Sequence, residues 1–469
     1  MSHDDRRARV EHGLRALVQV SNRPLEQFSL VERMERYGVP GASIAVVADG
    51  EVAWSAGYGS ISRGSSPVHA DTLFQAASVS KAVAAVGVLA LAERGVIDLD
   101  ADVNSMLRSW RLPESAHTDG SPVTVRHLLC HRAGLTVPGF PGYTDDAASD
   151  GSVPDAVGVL DGRGNTPAVE SFAVPGTVSQ YSGGGSTIVQ VLVGDVTGRP
   201  FAEVMHELVL GPLGMEESAY VQPLPEARRH RAAIGHGATG APVPGGAHVY
   251  PELQAAGLWT TAVDLARWLL GVQAMLRGEA GPLSQHMAQQ MVSPVDGGPF
   301  GLGPETGGEG GYRRFGHSGA NEGFRSQMDA LVERPVGAVV LTNADAGTAL
   351  CAEVRRSFAA EYDWGDVGTT TVEIADVDPA VLRSYAGRYA GPFDRPMRLE
   401  YADGELFSPA PYGRRRMLPI GPTSLVDEET GALLEVRHAA DDTGADSLRI
   451  AVMVNGAELM GFTRMEGPR

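Results

Sequence analysis

The sequence predicts an α+β fold followed by an all-β module, on three observations. Helical and strand-like patterns fall in separate blocks over the first part of the chain, without strict βαβα alternation. After about Asp376 the pattern changes to short strand-like runs divided by Asp-Gly, Asn-Gly and Gly-rich turns. The chain has 469 residues, 43% of them hydrophobic, enough for two bodies when domains usually run about 100–200 residues. The expected division is 1–375 for the first domain and 376–469 for an antiparallel, barrel-like second domain.

The first clear element is Gly41 to Gly59, two β-rich runs around Asp49-Gly50, a type I′ hairpin signal. Ala77-Ser78 then leads into VSKAVAAVGVLALAERG, whose apolar residues surround the helix axis, so this helix is expected to be buried on most sides and to end at Gly95. Val137 to Pro167 is rich in Gly, Pro and Asp and reads as a long loop bordering a site. Helices follow at Ser186–Thr197, Pro200–Leu210 and Thr261–Leu276, with Asp264 supporting the start of the last. Strands return in FGHSG, FRSQMDALVE and GAVVLTN, and a helix at Thr348–Tyr362 closes the domain. In the second domain, strands are expected at Met397–Tyr401, Glu405–Ser408, Leu433–Arg437, Leu448–Val454 and Glu458–Arg464.

Composition narrows the function. A net charge of −19 repels phosphate backbones and anionic lipid, and no basic patch offsets it, so neither nucleic acid nor membrane is an expected partner. The longest apolar run, Ala82 to Ala92, is about half of a bilayer span. The stretch Met1 to Asn22 lacks the apolar core of a secretory signal, and two cysteines, Cys130 and Cys351, make no disulfide framework or zinc spacing. A cytoplasmic, reduced protein without metal or cofactor is the expectation.

Among 38 basic residues there is one lysine, Lys81. Arginine-heavy coding explains the skew but not the survivor. A buried lysine can shed its proton near neutrality and act as a base, whereas arginine cannot. Lys81 closes the tetrad Ser78-Val79-Ser80-Lys81, and three residues apart on a helix their side chains share a face. The helix start also favours developing negative charge on the serine oxygen. Two further clusters stand out: Tyr181-Ser182-Gly183 before a helix, and Gly316-His317-Ser318-Gly319-Ala320 opening a strand. Each alone also fits a purely structural turn or bulge.

In this order and spacing the three clusters resemble the serine β-lactamase and penicillin-binding-protein-like superfamily, in its class C β-lactamase/esterase/D-aminopeptidase branch. VPGASIAVVADGEVAWSAGYG, VTVRHLLCHRAGL, AAGLWTTAVDLARWL and FGHSGANEGFRSQMDALVE read like segments of that branch, and the resemblance covers roughly residues 30–365. The second domain is similar to barrel-like appendages on D-aminopeptidase-type relatives. The resemblance implies an antiparallel sheet flanked by helices, with an all-helical subdomain, and a covalent acyl-Ser78 mechanism. Lys81 and Tyr181 would move the proton, and the backbone N–H groups of Ser78 and Ala320 would form the oxyanion hole. A small acyl donor, with water or an amine as acceptor, is the expected partner set.

Two departures follow. Gly183 replaces the asparagine of the branch's Y-x-N box, and His317 takes the place of the third-box lysine. Both lower fixed positive or donor character around Tyr181, which shifts the general-base role toward neutral Lys81. Recognition of a β-lactam carboxylate weakens too, unless Arg325 turns inward. Gly183, Ser318, Gly319, Asn321, Arg325 and Trp259 are the expected substrate contacts, and His131 and Arg132 are expected to anchor a turn. Esters, D-amino-acyl amides or peptides are favoured over β-lactams, with amide-forming acyl transfer as an alternative and an inactive binding module on the same fold as a non-enzymatic one. No G-x-S-x-G elbow supports an α/β-hydrolase, and His206-Glu207 lacks the second histidine of a zinc motif.

Overall fold

The computed structural model describes residues 2–391, 396–410, 413–440, 446–454 and 457–465. Two compact units emerge, residues 1–7 with 38–351 and residues 8–37 with 352–469. In the first, Gly41–Ala48 (β1) and Glu51–Gly59 (β2) form the expected hairpin. Asp49 and Gly50 both take positive φ, 54° and 85°, as a type I′ turn requires. With Glu305–Gly307 (β3), Arg314–Asn321 (β4), Phe324–Leu331 (β5) and Gly337–Thr342 (β6) they make an antiparallel six-stranded sheet in the order β2-β1-β6-β5-β4-β3. The central β1 and β6 are buried throughout, which is why they read as unbroken apolar runs instead of alternating ones. β3 pairs with β4 only from Arg314 to Gly316. Beyond that, among the described residues, the outer edge of β4 from His317 carries no strand.

The helix of the first tetrad runs over Val79–Glu93 (α1), is buried on nearly every side, and stops where Gly95 takes φ 71°. Gly183–Thr197 (α2) starts three residues before the expected Ser186. Ser182 Oγ caps it by accepting from the Gly185 amide, and its glycines fit beneath Phe140 and Val169 where a Cβ would clash. Tertiary packing thus overrides the poor helix propensity of three consecutive glycines. The expected Pro200–Leu210 helix is an α-helix over Phe201–Met205 continued by a π-helical turn, His206–Leu210. The stretch expected to be one long loop holds two short helices, Asp145–Asp150 and Ala156–Leu160, capped by Thr144 and Asp155. Leu253–Ala256 (α3) is a single turn that the sequence did not suggest, and Ala262–Leu276 (α4) begins at its Thr261 cap. Asp264 lends that cap only its backbone amide, and its buried carboxylate binds Ser218 and the Glu217 amide. Gly347–Tyr362 forms as a helix.

In the second unit eight strands close into a barrel: Gly387–Ala390, Met397–Ala402, Glu405–Ala410, Gly413–Pro419, Ser424–Asp427, Leu433–Ala440, Asp446–Val454 and Ala457–Arg464. Tyr389 pairs with Arg464 to seal it, and Leu399, Leu406, Met417, Leu425, Ile450 and Phe462 fill the inside. Five of the eight strands follow the sequence pattern. The charged run Arg414–Arg416 hides a sixth, whose buried residues, Met417 and Leu418, stand next to each other. Val18–Val20 pairs in parallel with Thr370–Val372, so this unit takes in chain on both sides of the 375/376 change of pattern. Among the described residues, no helix is long and apolar enough to cross a membrane.

Candidate active site

Ser78 stands at the N-cap of α1 with helical angles, and its side chain makes no capping bond, which leaves the hydroxyl for other use. The residue before it, Ala77, holds φ 51°, a left-handed conformation costly for a residue with a Cβ. That turn aims the start of α1 at β4. Lys81 is 4% exposed, and its Nζ donates to Ser78 Oγ at 3.1 Å and to the carbonyl of Ala255 on α3 at 2.7 Å. Burial pushes the amine down to about 7, against the opposing charges of Glu252 and Glu305. Glu252, which opens α3, is fully buried, and neither carboxylate oxygen has a hydrogen-bond partner among the described residues. Burial raises its pKa to about 7.

Tyr181 lies with its ring 4.9 Å from Lys81 Nζ. Its hydroxyl is buried toward Ser78 without a formed hydrogen bond, and burial pushes the phenol upward, so it is protonated at neutral pH. His131 holds this tyrosine from both sides. Its carbonyl accepts from Gln180 N at 2.9 Å, its Nδ1 accepts from Ser182 N at 3.2 Å, and the rings lie 4.2 Å apart. His131 takes φ 58° to do so, and burial keeps it neutral, with the hydrogen on Nε2. His317 is buried near Tyr181, ring centroids 6.2 Å apart. Its Nδ1 lies 2.6 Å from the Ser318 carbonyl and so carries the hydrogen, which makes Nε2 a buried acceptor with no partner among the described residues. Burial lowers its basicity as well, against Glu305.

β4 forms the other wall. A Cβ on Gly319 would stand 2.2 Å from Ser326 Oγ and 2.4 Å from the Ala76 carbonyl, so only glycine lets the strand approach the start of α1. The Ser318 amide donates outward to Glu305 Oε1 at 3.2 Å. In a strand every second N–H points the same way, so the Ala320 amide also faces the open edge. Ser318 Oγ donates to the same Glu305 oxygen at 2.8 Å.

The structure thus gathers Ser78, Lys81, Tyr181, His317, Ser318, Gly319 and Ala320, but four expected substrate contacts stand otherwise. Arg325 Nη1 binds Asp345 at 2.8 Å and the Asn321 and Phe324 carbonyls, because strand alternation puts it on the face opposite Ser326. Asn321 spends its amide on Gln75 and the Ala256 carbonyl. Trp259 packs on Phe324 and lines a separate cavity with Leu224 and Ile234. Gly183 is buried under Phe140. Glu252, Glu305 and the Ala255 carbonyl were missed, since no local pattern in the sequence marks them.

A half-buried serine in contact with a buried lysine, next to a tyrosine and an open strand edge, defines an active-serine site. The Beta-lactamase family profile matches residues 29–360, and the chain belongs to that family of serine hydrolases. It is 36% identical over 199 residues to esterase EstB of Burkholderia gladioli, a match covering 40% of this chain and 48% of the esterase. Against penicillin-binding protein 4 of Amycolatopsis lactamdurans identity is 27% over 379 residues, 75% of this chain and 93% of the relative. The octameric penicillin-binding protein homologue from Pyrococcus abyssi shares the fold with a TM-score of 0.61 at 21% identity, covering 93% and 98% of the two chains. A D-aminopeptidase, a D-amino acid amidase and an acyltransferase also stand among the similar proteins.

Proposed function

We propose that this protein is a serine hydrolase acting through an acyl-Ser78 intermediate on a small ester or a D-amino-acyl amide or peptide, with weak or no action on β-lactams. The observation that carries the reading is the 3.1 Å contact between Ser78 Oγ and the buried amine of Lys81. Ser78 Oγ attacks the carbonyl carbon while its proton passes to neutral Lys81, and the oxyanion is taken by the Ser78 and Ala320 amides. Collapse breaks the bond to the leaving group, which collects a proton through Tyr181, whose ring lies 4.9 Å from Lys81 Nζ. Water then adds to the acyl ester and regenerates Ser78. Similarity to an esterase and a D-aminopeptidase supports this substrate range, and a cytoplasmic setting fits the two buried, free cysteines.

The test is a panel read by mass spectrometry: nitrocefin, short p-nitrophenyl esters and D-alanyl amides, each with and without an amine acceptor. Acyl-Ser78 and free acid are expected from esters or D-alanyl amides. A dominant amide product with the acceptor would instead make the protein a transacylase. Failure of a fluorophosphonate to label Ser78 would make it a binding module.

A further inference from the structure

The leaving group of a substrate bound at Ser78 departs in a definite direction. The substrate carbonyl oxygen meets the Ala320 amide, and the leaving group takes its proton through Tyr181, which packs near His317, three residues back along β4. The expelled group therefore lies on the His317 side of Ser78. The half-buried side chain that touches the rings on that side is Phe300. Its ring centroid stands 5.8 Å from that of Tyr181, 6.2 Å from that of His317 and, edge-on, 4.7 Å from that of His131. The backbone around it is tied down. The Phe300 carbonyl accepts from the Val295 amide at 3.0 Å, and the Pro299 carbonyl accepts from the Thr306 amide on β3 at 2.8 Å. Gly303 takes φ 114° and comes so close to α1 that a Cβ there would stand 2.3 Å from Ala85 Cβ. Phe300 is thus a firmly held aromatic side chain, partly open to solvent, beside the group that hands over the proton.

We propose that Phe300 is the specificity-determining residue for the leaving group, a platform on which an aromatic alcohol or amine packs as it is expelled. A ring against a ring gains both from apolar burial and from the offset or edge-on contact of the two π-systems. A platform already held in place loses little freedom on binding. The contact is kept while the bond breaks beside Tyr181, so the preference falls on kcat/KM. A short alkyl alcohol leaves most of the ring uncovered and gains none of this. The inference rests on the acyl-Ser78 reading and deepens it by naming the chemical class of the leaving group.

The test compares ethyl, cyclohexylmethyl and benzyl esters of acetic acid and of D-alanine by kcat/KM, each divided by its rate with hydroxide, alongside fluorophosphonate labelling of Ser78. The unaltered protein is expected to favour benzyl over ethyl about tenfold, with cyclohexylmethyl between them. Phe300→Leu keeps apolar bulk without the π face and should bring benzyl within about twofold of cyclohexylmethyl. Phe300→Ala should bring all three within about threefold of one another. If Phe300 only positions Tyr181, both substitutions lower the three esters by one common factor and leave their ratios unchanged, which overturns the assignment. Equal rates in the unaltered protein, or labelling without turnover of any ester, overturn it as well. Absence of labelling overturns the acyl-Ser78 reading itself.

Discussion

Lys81 Nζ donates to the Ala255 carbonyl at 2.7 Å as well as lying 3.1 Å from Ser78 Oγ. The asparagine of the Y-x-N box would offer this lysine a side-chain amide, but that position is Gly183. A backbone carbonyl supplies the second acceptor in its place. It orients the amine whether or not the amine is charged, and it adds no positive charge of its own. The nitrogen lone pair of the neutral form is thus available to Ser78.

Activity is expected to follow the neutral fraction of Lys81. With its pKa lowered to about 7, kcat/KM should fall about tenfold per pH unit below that value and level off above it. Because the chain holds one lysine, protein carrying [ε-13C]lysine gives a single side-chain NMR signal whose titration reports this group directly. A midpoint near the ordinary lysine value of about 10.4 would remove Lys81 as the base. Lys81→Arg keeps the charge and loses the base, so kcat should drop at least about a hundredfold.

Glu252 should set where that pH limb falls. The groups facing Lys81 are Ser78, Tyr181, His131, His317, Glu252 and Glu305, and Glu252 is the leading one that holds the proton on the amine. Glu252→Gln removes that charge, so Lys81 loses its proton more easily and the acid limb moves to lower pH, by about half a unit to one unit. A fall in rate with an unmoved limb would reduce Glu252 to a packing role.

The clamp on Tyr181 makes a separate prediction. His131→Ala removes the Nδ1 acceptor of the Ser182 amide and the ring contact on Tyr181 while keeping the backbone bond to Gln180, and should lower kcat about ten- to a hundredfold, with KM changed less than about threefold. If His131 acts by placing the Tyr181 hydroxyl, the same substitution in a Tyr181→Phe background should cost little more. Fully additive losses would show that His131 serves only the fold.

What could be read ahead of the structure follows from how each residue acts. Ser78, Lys81 and the Ala320 amide act through spacing along one helix or strand, and spacing is written in the chain. Glu252, Glu305 and Ala255 act by burial or reach from elements joined through turns, which no local pattern reports. Arg325 misled for a third reason. The pairing of Gly319 with Ser326 fixes the inward face of β5, so its neighbour must point out, but that register appears only once the strands are aligned. In the barrel, short strand-like runs between turns revealed five strands, while a strand that opens on a charged run, Gly413–Pro419, stayed hidden.

Gly183 tests whether the missing asparagine can be restored. A Cβ there would stand 2.8 Å from Phe140 Cε2, and the Pro138 carbonyl and Gly139 also lie close. Gly183→Asn therefore has to push the ring aside before its amide can reach the site. The expected cost is about 1–3 kcal/mol, seen as a drop in apparent Tm of about 2–8 °C, with no gain in activity. Phe140→Ala vacates that space, so the pair Phe140→Ala/Gly183→Asn should be more stable than the two separate losses predict. A Gly183→Asn protein with unchanged Tm and a higher rate would mean that the ring yields freely and that the glycine, not Phe140, limits this side of the site.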